Sequence, residues 1–213
     1  MPRTVAAITL CLCMLPLPGF ATFLPGIGDF TGSSAGASNG TLGFRFRATM
    51  ATSVLGLAVW DRNNDGFSGN TVDVGLWSDA GALLGQVQVA SSDPTIAVTG
   101  GLSGSYRYDF LSSPIALTVG SYYRVGADMS DIPEAGEYII GAVPTDLNYI
   151  DDISRALSGS FNFPSITTDP GQAYLGGNIL LEVPQDVPVP PSALLLAVGI
   201  GGFLALRKPK RRA

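Results

Sequence analysis

The sequence predicts an all-β protein built as an antiparallel β-sandwich. Between residues 41 and 183, short runs place apolar side chains at every second position, the period of a strand with one buried face. Clusters such as Asp169-Pro170-Gly171 separate these runs and supply turn chemistry. Many of the residues in the runs are β-branched or aromatic. Short strands at this spacing are typical of a sandwich.

The first 21 residues predict a secretory signal peptide and its helix. Arg3 gives a basic start, an apolar stretch follows, and Gly19 and Ala21 are the small residues three and one before the break. Both cysteines of the chain lie within this apolar stretch, so we expect an exported domain that has no disulfide and depends on core burial. Residues 22–40 are predicted to be a flexible lead.

Residues 41–183 are predicted to form the β-sandwich domain. Its first run sets Leu42, Phe44 and Phe46 on one face, and its second is apolar throughout, as in a strand buried on both faces. The stretch Leu147–Leu157 has a weakly helical pattern and is expected to be a loop with a single turn. The predicted strands are Thr41–Arg47, Val54–Trp60, Thr71–Trp77, Leu83–Val89, Tyr106–Phe110, Tyr122–Ala127, Tyr138–Val143 and Tyr174–Val183.

The exported part of the chain is strongly acidic. All 17 acidic residues lie between the signal peptide and the C-terminal tail. Only six of the 12 basic residues lie in that region, so its net charge is near −11. A surface with this charge repels nucleic acid and anionic lipid. We therefore expect no nucleic-acid partner.

The end of the chain has three blocks of different chemistry. Residues 184–192 predict a stiff, extended stalk, because proline fixes φ and removes a hydrogen-bond donor. Residues 193–206 are apolar and uncharged, and predict a short transmembrane helix. Residues 207–213 are predicted to be a basic cytoplasmic tail that stops transfer. Its basic residues are Arg207, Lys208, Lys210, Arg211 and Arg212.

This layout resembles the PEP-CTERM sorting signal. The run Val187, Pro188, Val189, Pro190 lies where that family usually has Val-Pro-Glu-Pro, so valine replaces the glutamate. The resemblance implies a Gram-negative exported protein, held transiently by the inner membrane and processed by an exosortase-type protease. A plain membrane anchor and a buried core helix are the alternatives, although a spanning helix needs about 20 apolar residues and this run is shorter.

The domain itself resembles an uncharacterised all-β domain often found ahead of PEP-CTERM tails. The relevant pieces are Leu-Gly-Leu-Ala-Val-Trp-Asp at 55–61, Val-Gly-Leu-Trp-Ser-Asp-Ala-Gly at 74–81 and Ile-Ala-Leu-Thr-Val-Gly-Ser-Tyr-Tyr at 115–123. The resemblance implies a jelly-roll-like or immunoglobulin-like sandwich and brings no catalytic residues.

The composition argues against an enzyme. The chain has no histidine, and no cysteine is expected after signal cleavage, which excludes Ser-His-Asp and Cys-His catalysis and the usual zinc sites. No Gly-rich phosphate loop joins a strand to a helix. No pair of carboxylates stands out as the acid and base of a glycosidase. We expect no catalytic residues and no cofactor, apart from the calcium considered next.

The loop that begins at Asp61 carries the sharpest local motif. Oxygen ligands at Asp61, Asn63 and Asp65, followed by Gly66, match the first half of a calcium loop. The second half does not match, because Val72 lies where a bidentate glutamate is required. The loop is therefore either a hairpin turn rich in Asn, Asp and Gly or a weak calcium site.

Aromatic residues suggest a second kind of site. Trp60 and Trp77 lie near predicted strand ends beside the acidic loop, and could stack on sugar rings or belong to the core. The sequence thus predicts an exported protein of the cell envelope or extracellular matrix with a structural or adhesive role. The alternative is a carbohydrate-binding module, with or without the assistance of calcium, that has exopolysaccharide as its partner.

Overall fold

The computed structural model describes residues 23–35, 40–67, 71–97, 103–130, 137–144, 148–156, 161–170, 173–174 and 176–183. All regular structure in these ranges is β-strand, and each strand pairing is antiparallel. The predicted all-β antiparallel class is therefore confirmed. The strands are β1 (Phe23–Pro25), β2 (Ile27–Ala35), β3 (Thr41–Ala48), β4 (Thr52–Arg62), β5 (Thr71–Ser78), β6 (Leu83–Ala90), β7 (Thr95–Ile96), β8 (Gly104–Leu117), β9 (Tyr122–Asp128), β10 (Glu137–Pro144), β11 (Asn148–Ala156), β12 (Ile166–Pro170), β13 (Ala173–Tyr174) and β14 (Gly177–Glu182).

The strands form two large sheets and a smaller one. One large sheet has five strands in the order β1-β14-β4-β8-β7, and the other has six in the order β12-β11-β3-β9-β5-β6. The three-stranded sheet has the order β13-β10-β2. Consecutive strands repeatedly change sheet, since β3 lies in the six-stranded sheet, β4 in the five-stranded sheet and β5 in the six-stranded sheet again. Strands far apart in the chain, such as β4 and β14, are therefore neighbours.

The two large sheets pack around a shared apolar core. Phe44 and Phe46 of β3 are fully buried, as are Leu57 and Val59 of β4 and Ile179 of β14. Burying each side chain of this size contributes roughly 1.5–3 kcal/mol. The predicted alternation in β3 and the predicted burial of β4 on both faces are confirmed, as expected for a sandwich.

Glycines let the two sheets approach each other closely at one place. A Cβ added to Gly177 of β14 would lie 2.8 Å from the Cα of Gly126 in β9, and one added to Gly176 would lie 2.5 Å from the carbonyl oxygen of Leu42. Both distances are shorter than a carbon atom tolerates, so backbone meets backbone here. The backbone N–H of Trp60 donates to the Gly176 carbonyl at 3.1 Å and ties β4 to this contact.

The predicted flexible lead at 22–40 is wrong for the residues that the structure describes. Phe23–Pro25 pairs with β14, and Ile27–Ala35 pairs with β10. Buried Asn178 fixes the step between these strands, because the Ile27 N–H donates to its side-chain oxygen at 3.1 Å. The sheets of the domain thus include residues before 41, the predicted start of the domain.

The predicted loop with a helical turn at Leu147–Leu157 is also wrong. Asn148–Ala156 is a strand that pairs with β3 on one side and β12 on the other. Hydrogen bonding to two neighbouring strands outweighs a weak local helical pattern. In addition, the predicted strand Tyr174–Val183 is divided into β13 and β14, which belong to different sheets.

The predicted terminal segments lie outside the described residues. These are the signal peptide at 1–21, the stalk at 184–192, the transmembrane helix at 193–206 and the basic tail at 207–213. Within the described ranges, no helix has the length and apolar character needed to cross a membrane.

Candidate functional site

Asp61, the first residue of the predicted calcium loop, is completely buried near the end of β4. Its carboxylate accepts a hydrogen bond from Nε of Arg107 at 2.5 Å and forms an ion pair with that guanidinium. It also accepts from the backbone N–H of Gly66, at 3.1 and 3.3 Å to its two oxygens. Asp61 therefore neutralises a largely buried arginine and turns the following loop back onto β4.

The loop after Asp61 is a tight turn built from asparagines. Asn63 and Asn64 have positive φ angles of 63° and 61°, a left-handed conformation that asparagine tolerates better than most residues. The Asn63 N–H donates to the Ser103 carbonyl at 2.9 Å, and the Asn64 side chain accepts from the Ser105 hydroxyl. These contacts explain the asparagines by turn geometry.

The three predicted calcium ligands do not converge in this arrangement. Asp61 points into the protein toward Arg107, whereas Asn63 and Asp65 are exposed to solvent. In the part of the chain that the structure describes, no three His, Cys, Asp or Glu side chains are grouped to hold a metal ion. Calcium would have to displace Arg107 before Asp61 could bind it. The geometry favours the turn interpretation, and calcium binding stays a prediction.

Neither tryptophan can serve as a sugar-stacking platform, and that prediction is wrong for both. Trp60 is only 1% exposed and meets Tyr106 edge to face, with ring centroids 5.2 Å apart. Trp77 is 4% exposed and packs against Phe161 and Phe163, at centroid distances of 5.2 and 6.4 Å. A sugar ring needs an accessible aromatic face, and these indoles contribute to packing instead.

Two arginines face each other on the outer side of the six-stranded sheet. Arg45 of β3 and Arg124 of β9 are directly opposite in register, a position where like charges destabilise a sheet. Asp79, in the turn between β5 and β6, offsets this repulsion because it accepts from Arg45 Nη2 at 2.8 Å and from Arg124 Nε at 3.0 Å. We call these three residues the Asp79 cluster.

The Asp79 cluster has a clear electrostatic signature. Its hydrogen bond from Arg45 is the largest influence and, with Arg124, lowers the pKa of Asp79 from 3.8 to about 2 against the opposing effect of burial. The Arg45 guanidinium also lies 3.9 Å from the ring centroid of Tyr122, a cation–π contact. The cluster thus holds the β5–β6 turn to β3 and β9.

Accessible aromatic surface is found on the five-stranded sheet instead. Phe23 of β1 meets Tyr108 and Phe110 of β8 edge to face, with centroids 5.4 and 5.8 Å apart, and Tyr108 meets Phe110 at 5.5 Å. Phe110 is 50% exposed. We call these residues the aromatic trio. The sequence alone does not indicate a binding role for Phe23 or Phe110, because it does not predict β1, the strand that brings Phe23 to β8.

The two ends of the described domain lie side by side. β1 and β14 are antiparallel neighbours, and Phe23 is directly opposite Glu182. The hydroxyl of Thr52 donates to the Glu182 carbonyl at 2.7 Å and fixes the end of β14 to β4. The chain therefore enters and leaves the domain at one edge of one sheet.

Comparison with known proteins adds no family to these observations. No protein-family model matches the chain, and no curated protein matches it either. The resemblance of the tail and the domain to PEP-CTERM proteins thus stays a prediction.

Proposed function

We propose that this protein is an exported, non-enzymatic component of the cell envelope or extracellular matrix, sorted by its C-terminal tail, with a structural or adhesive role. The observation that supports this proposal is the position of Phe23 opposite Glu182. Phe23 follows the predicted signal-peptide break by one residue, and the predicted stalk begins after Val183. Both ends of the domain therefore lie at one sheet edge. A domain that is held to the membrane at both ends during export can fold on one side of it, because no strand has to pass between the two attached segments.

The predicted stalk also gives a protease access to the sorting motif. An extended proline-rich segment rises about 3.1 Å per residue, so a stalk of this predicted kind would span roughly 28 Å over residues 184–192. The motif Val187–Pro190 begins four residues after Val183, about 12 Å along the same geometry. A membrane-bound protease of the exosortase type can therefore reach the motif while β14 remains paired with β1 and β4.

We also propose the finer architecture as a jelly roll. Successive strands β3, β4 and β5 alternate between the large sheets, β5 and β6 form a hairpin within one sheet, and β8 and β9 alternate again. Two stacked Greek keys produce this order, and it supports the jelly-roll-like arrangement over the immunoglobulin-like one. A signal helix at 1–21 and a short transmembrane helix at 193–206 flank the sandwich in this proposal.

The sorting proposal is tested by altering the motif in the full chain. Replacing Pro188 and Pro190 with alanine should leave the tail uncleaved and the protein in the membrane fraction. Pro184→Ala is the matched control, since it changes a stalk proline outside the motif and should leave processing intact. Equal processing of both variants, measured from the intact mass of each chain, would contradict the proposal.

A second candidate function is carbohydrate binding, moved from the tryptophans to the aromatic trio. The half-exposed ring of Phe110 favours it, because a sugar ring stacks on an accessible aromatic face and Phe110 offers one on an outer sheet face. Phe110→Ala should reduce binding of the chain to exopolysaccharide from the producing cells. Val119→Ala is the control, since Val119 is 55% exposed but not aromatic. Unchanged binding by Phe110→Ala would exclude this site. Repeating the binding measurement with a calcium chelator tests whether binding requires calcium.

A further inference from the structure

The edge strands of the described sheets differ in how well they are protected from pairing with another chain. Short length, proline and charge are the usual protections. β7 and β13 have two residues each, β1 has three and contains Pro25, β12 ends at Pro170, and β2 contains Asp29. β6 has eight residues, Leu83–Ala90, and contains neither charge nor proline.

β6 also presents a regular edge. It is the last strand of the six-stranded sheet, and among the described strands it pairs with β5 alone. The register shift in this pairing falls between Leu76 and Trp77, next to the turn, and the pairs from Gly85 to Ala90 are regular. A bulge that would twist the edge away from a partner is therefore confined to one end of the strand.

The side chains of β6 leave the edge uncharged. Val87 and Val89 lie in the core, and the amides of Gln86 and Gln88 donate to Oδ1 of Asp73 on β5 at 2.9 and 3.2 Å. The Asp73 carboxylate is thus held by two neutral amides, and the Asp93 carboxylate accepts from the Ala90 backbone N–H at 2.7 Å and caps that end of the strand. At the start of the strand, Leu83 is 50% exposed and Leu84 is 40% exposed. Before this capped end, the edge from Leu83 to Val89 therefore combines uncharged residues with uncovered apolar side chains.

We infer that β6 pairs with β6 of a second copy of this chain, antiparallel, so that two six-stranded sheets join into one continuous sheet. A two-fold axis at Val87, perpendicular to the sheet, places Gln86 opposite Gln88 of the second copy, and amide then meets amide. The same axis places Leu84 of each copy opposite Ala90 of the other, where Ala90 keeps its backbone bonds to Asp93 and the exposed leucine gains a neighbour. No like charges face each other along the strand, and like charges in directly opposite positions would destabilise the pairing.

The charge of the chain predicts how this association responds to salt. The exported region carries a net charge near −11, so two copies repel each other at a distance. Salt screens that repulsion, whereas it has little effect on uncharged strands in contact. Dimerisation should therefore strengthen as the salt concentration rises. This inference goes beyond the proposed function and does not depend on the sorting tail.

Sedimentation velocity of the full chain in mild detergent, over a range of concentrations, tests the inference. The unaltered chain should show a monomer–dimer equilibrium, and Leu84→Lys should weaken it about tenfold or more, because lysine protects an edge strand. Ile166→Lys is the matched control: Ile166 is 39% exposed against 40% for Leu84, and it lies on β12 at the opposite edge of the same sheet. It should leave the equilibrium unchanged.

Amide hydrogen exchange locates the contact. Protection of the β6 amides should increase with concentration, and protection of the β12 amides should not. Gln88→Lys provides a second edge variant if Leu84→Lys does not fold. The inference is overturned by a chain that stays monomeric at all concentrations, by a dimer that both β6 variants retain, or by a dimer without added β6 protection, including one formed through the tail.

Discussion

The domain and the tail use positive charge in different ways. In the domain, Arg107 is paired with Asp61, and Arg45 and Arg124 share Asp79. In the tail, five basic residues at 207–212 follow an apolar run, and residues 193–213 include no acidic residue. The domain thus shows arginines that stabilise a fold, whereas the composition of the tail is typical of cations that interact with a membrane surface.

The largest predicted effect comes from removing the charge of the tail. Replacing its five basic residues with glutamine should remove the signal that stops transfer across the membrane. Most exported molecules should then keep an unprocessed C-terminus. Arg62→Gln is the control, because Arg62 is an exposed arginine of the domain. Intact masses of the exported chains provide the measurement, and normal processing of the neutral tail would break the contrast between tail and domain.

The next largest effect is expected at Asp61. Asp61→Asn removes the only carboxylate that the described residues place on Arg107, and leaves a largely buried guanidinium without its counter-charge. Breaking a buried ion pair in this way costs about 3–5 kcal/mol of unfolding free energy. Urea unfolding measures the loss. Asp65→Asn, in the same loop but exposed, should change stability by no more than about 0.5 kcal/mol, and a similar small loss in both variants would contradict the assigned role of Asp61.

A smaller effect is expected at Asp79, whose side chain is 36% exposed. Asp79→Asn should cost about 1 kcal/mol or less at neutral pH, because solvent screens a partly exposed ion pair. The pKa of Asp79 is about 2 in the folded protein against an ordinary value of 3.8. Its contribution is therefore complete above pH 3.8 and is lost as the pH falls toward 2.

Urea unfolding of the unaltered chain and of Asp79→Asn, between pH 6 and pH 2, measures this contribution. The difference between them should shrink in the acid range, and also in about 1 M salt, where the Debye length is near 3 Å. A difference that stays constant across that pH range would mean that Asp79 stabilises the fold through something other than its charge.

The smallest predicted effect concerns calcium. Since Asp61 already binds Arg107 and Gly66, millimolar calcium should leave the melting temperature unchanged. Thermal unfolding with and without calcium makes the comparison. A rise in melting temperature that Asp65→Asn removes would show that the loop exchanges Arg107 for the cation, and would restore the predicted metal site.

The elements that the sequence predicts well are those whose signal is local. Alternation in β3 and the apolar run of β4 each specify burial directly, because successive side chains in a strand point to opposite faces. The sequence does not predict β11, because Asn148–Ala156 has little alternation and its pairing with β3 and β12 is not visible in the local pattern. β1 was missed because a three-residue strand carries almost no pattern of its own.

The site residues show the same limit. Trp77 has the parity of an outward-facing residue, yet Phe161 and Phe163, more than 80 positions later, pack against it. The partner of Asp61 is 46 residues away and that of Arg45 is 34 residues away, so neither pair has a sequence spacing that identifies it. A motif such as Asp61-Arg62-Asn63-Asn64-Asp65-Gly66 fits a metal loop and a turn equally well until Arg107 is located.

Intact-mass spectrometry of the native protein, recovered separately from cytoplasm, envelope and medium, tests the proposed function most directly. Export and sorting predict a chain in the envelope or medium that begins at Thr22 and ends between residues 187 and 192. A chain found in the cytoplasm that begins at Met1 and ends at Ala213 would contradict the proposal.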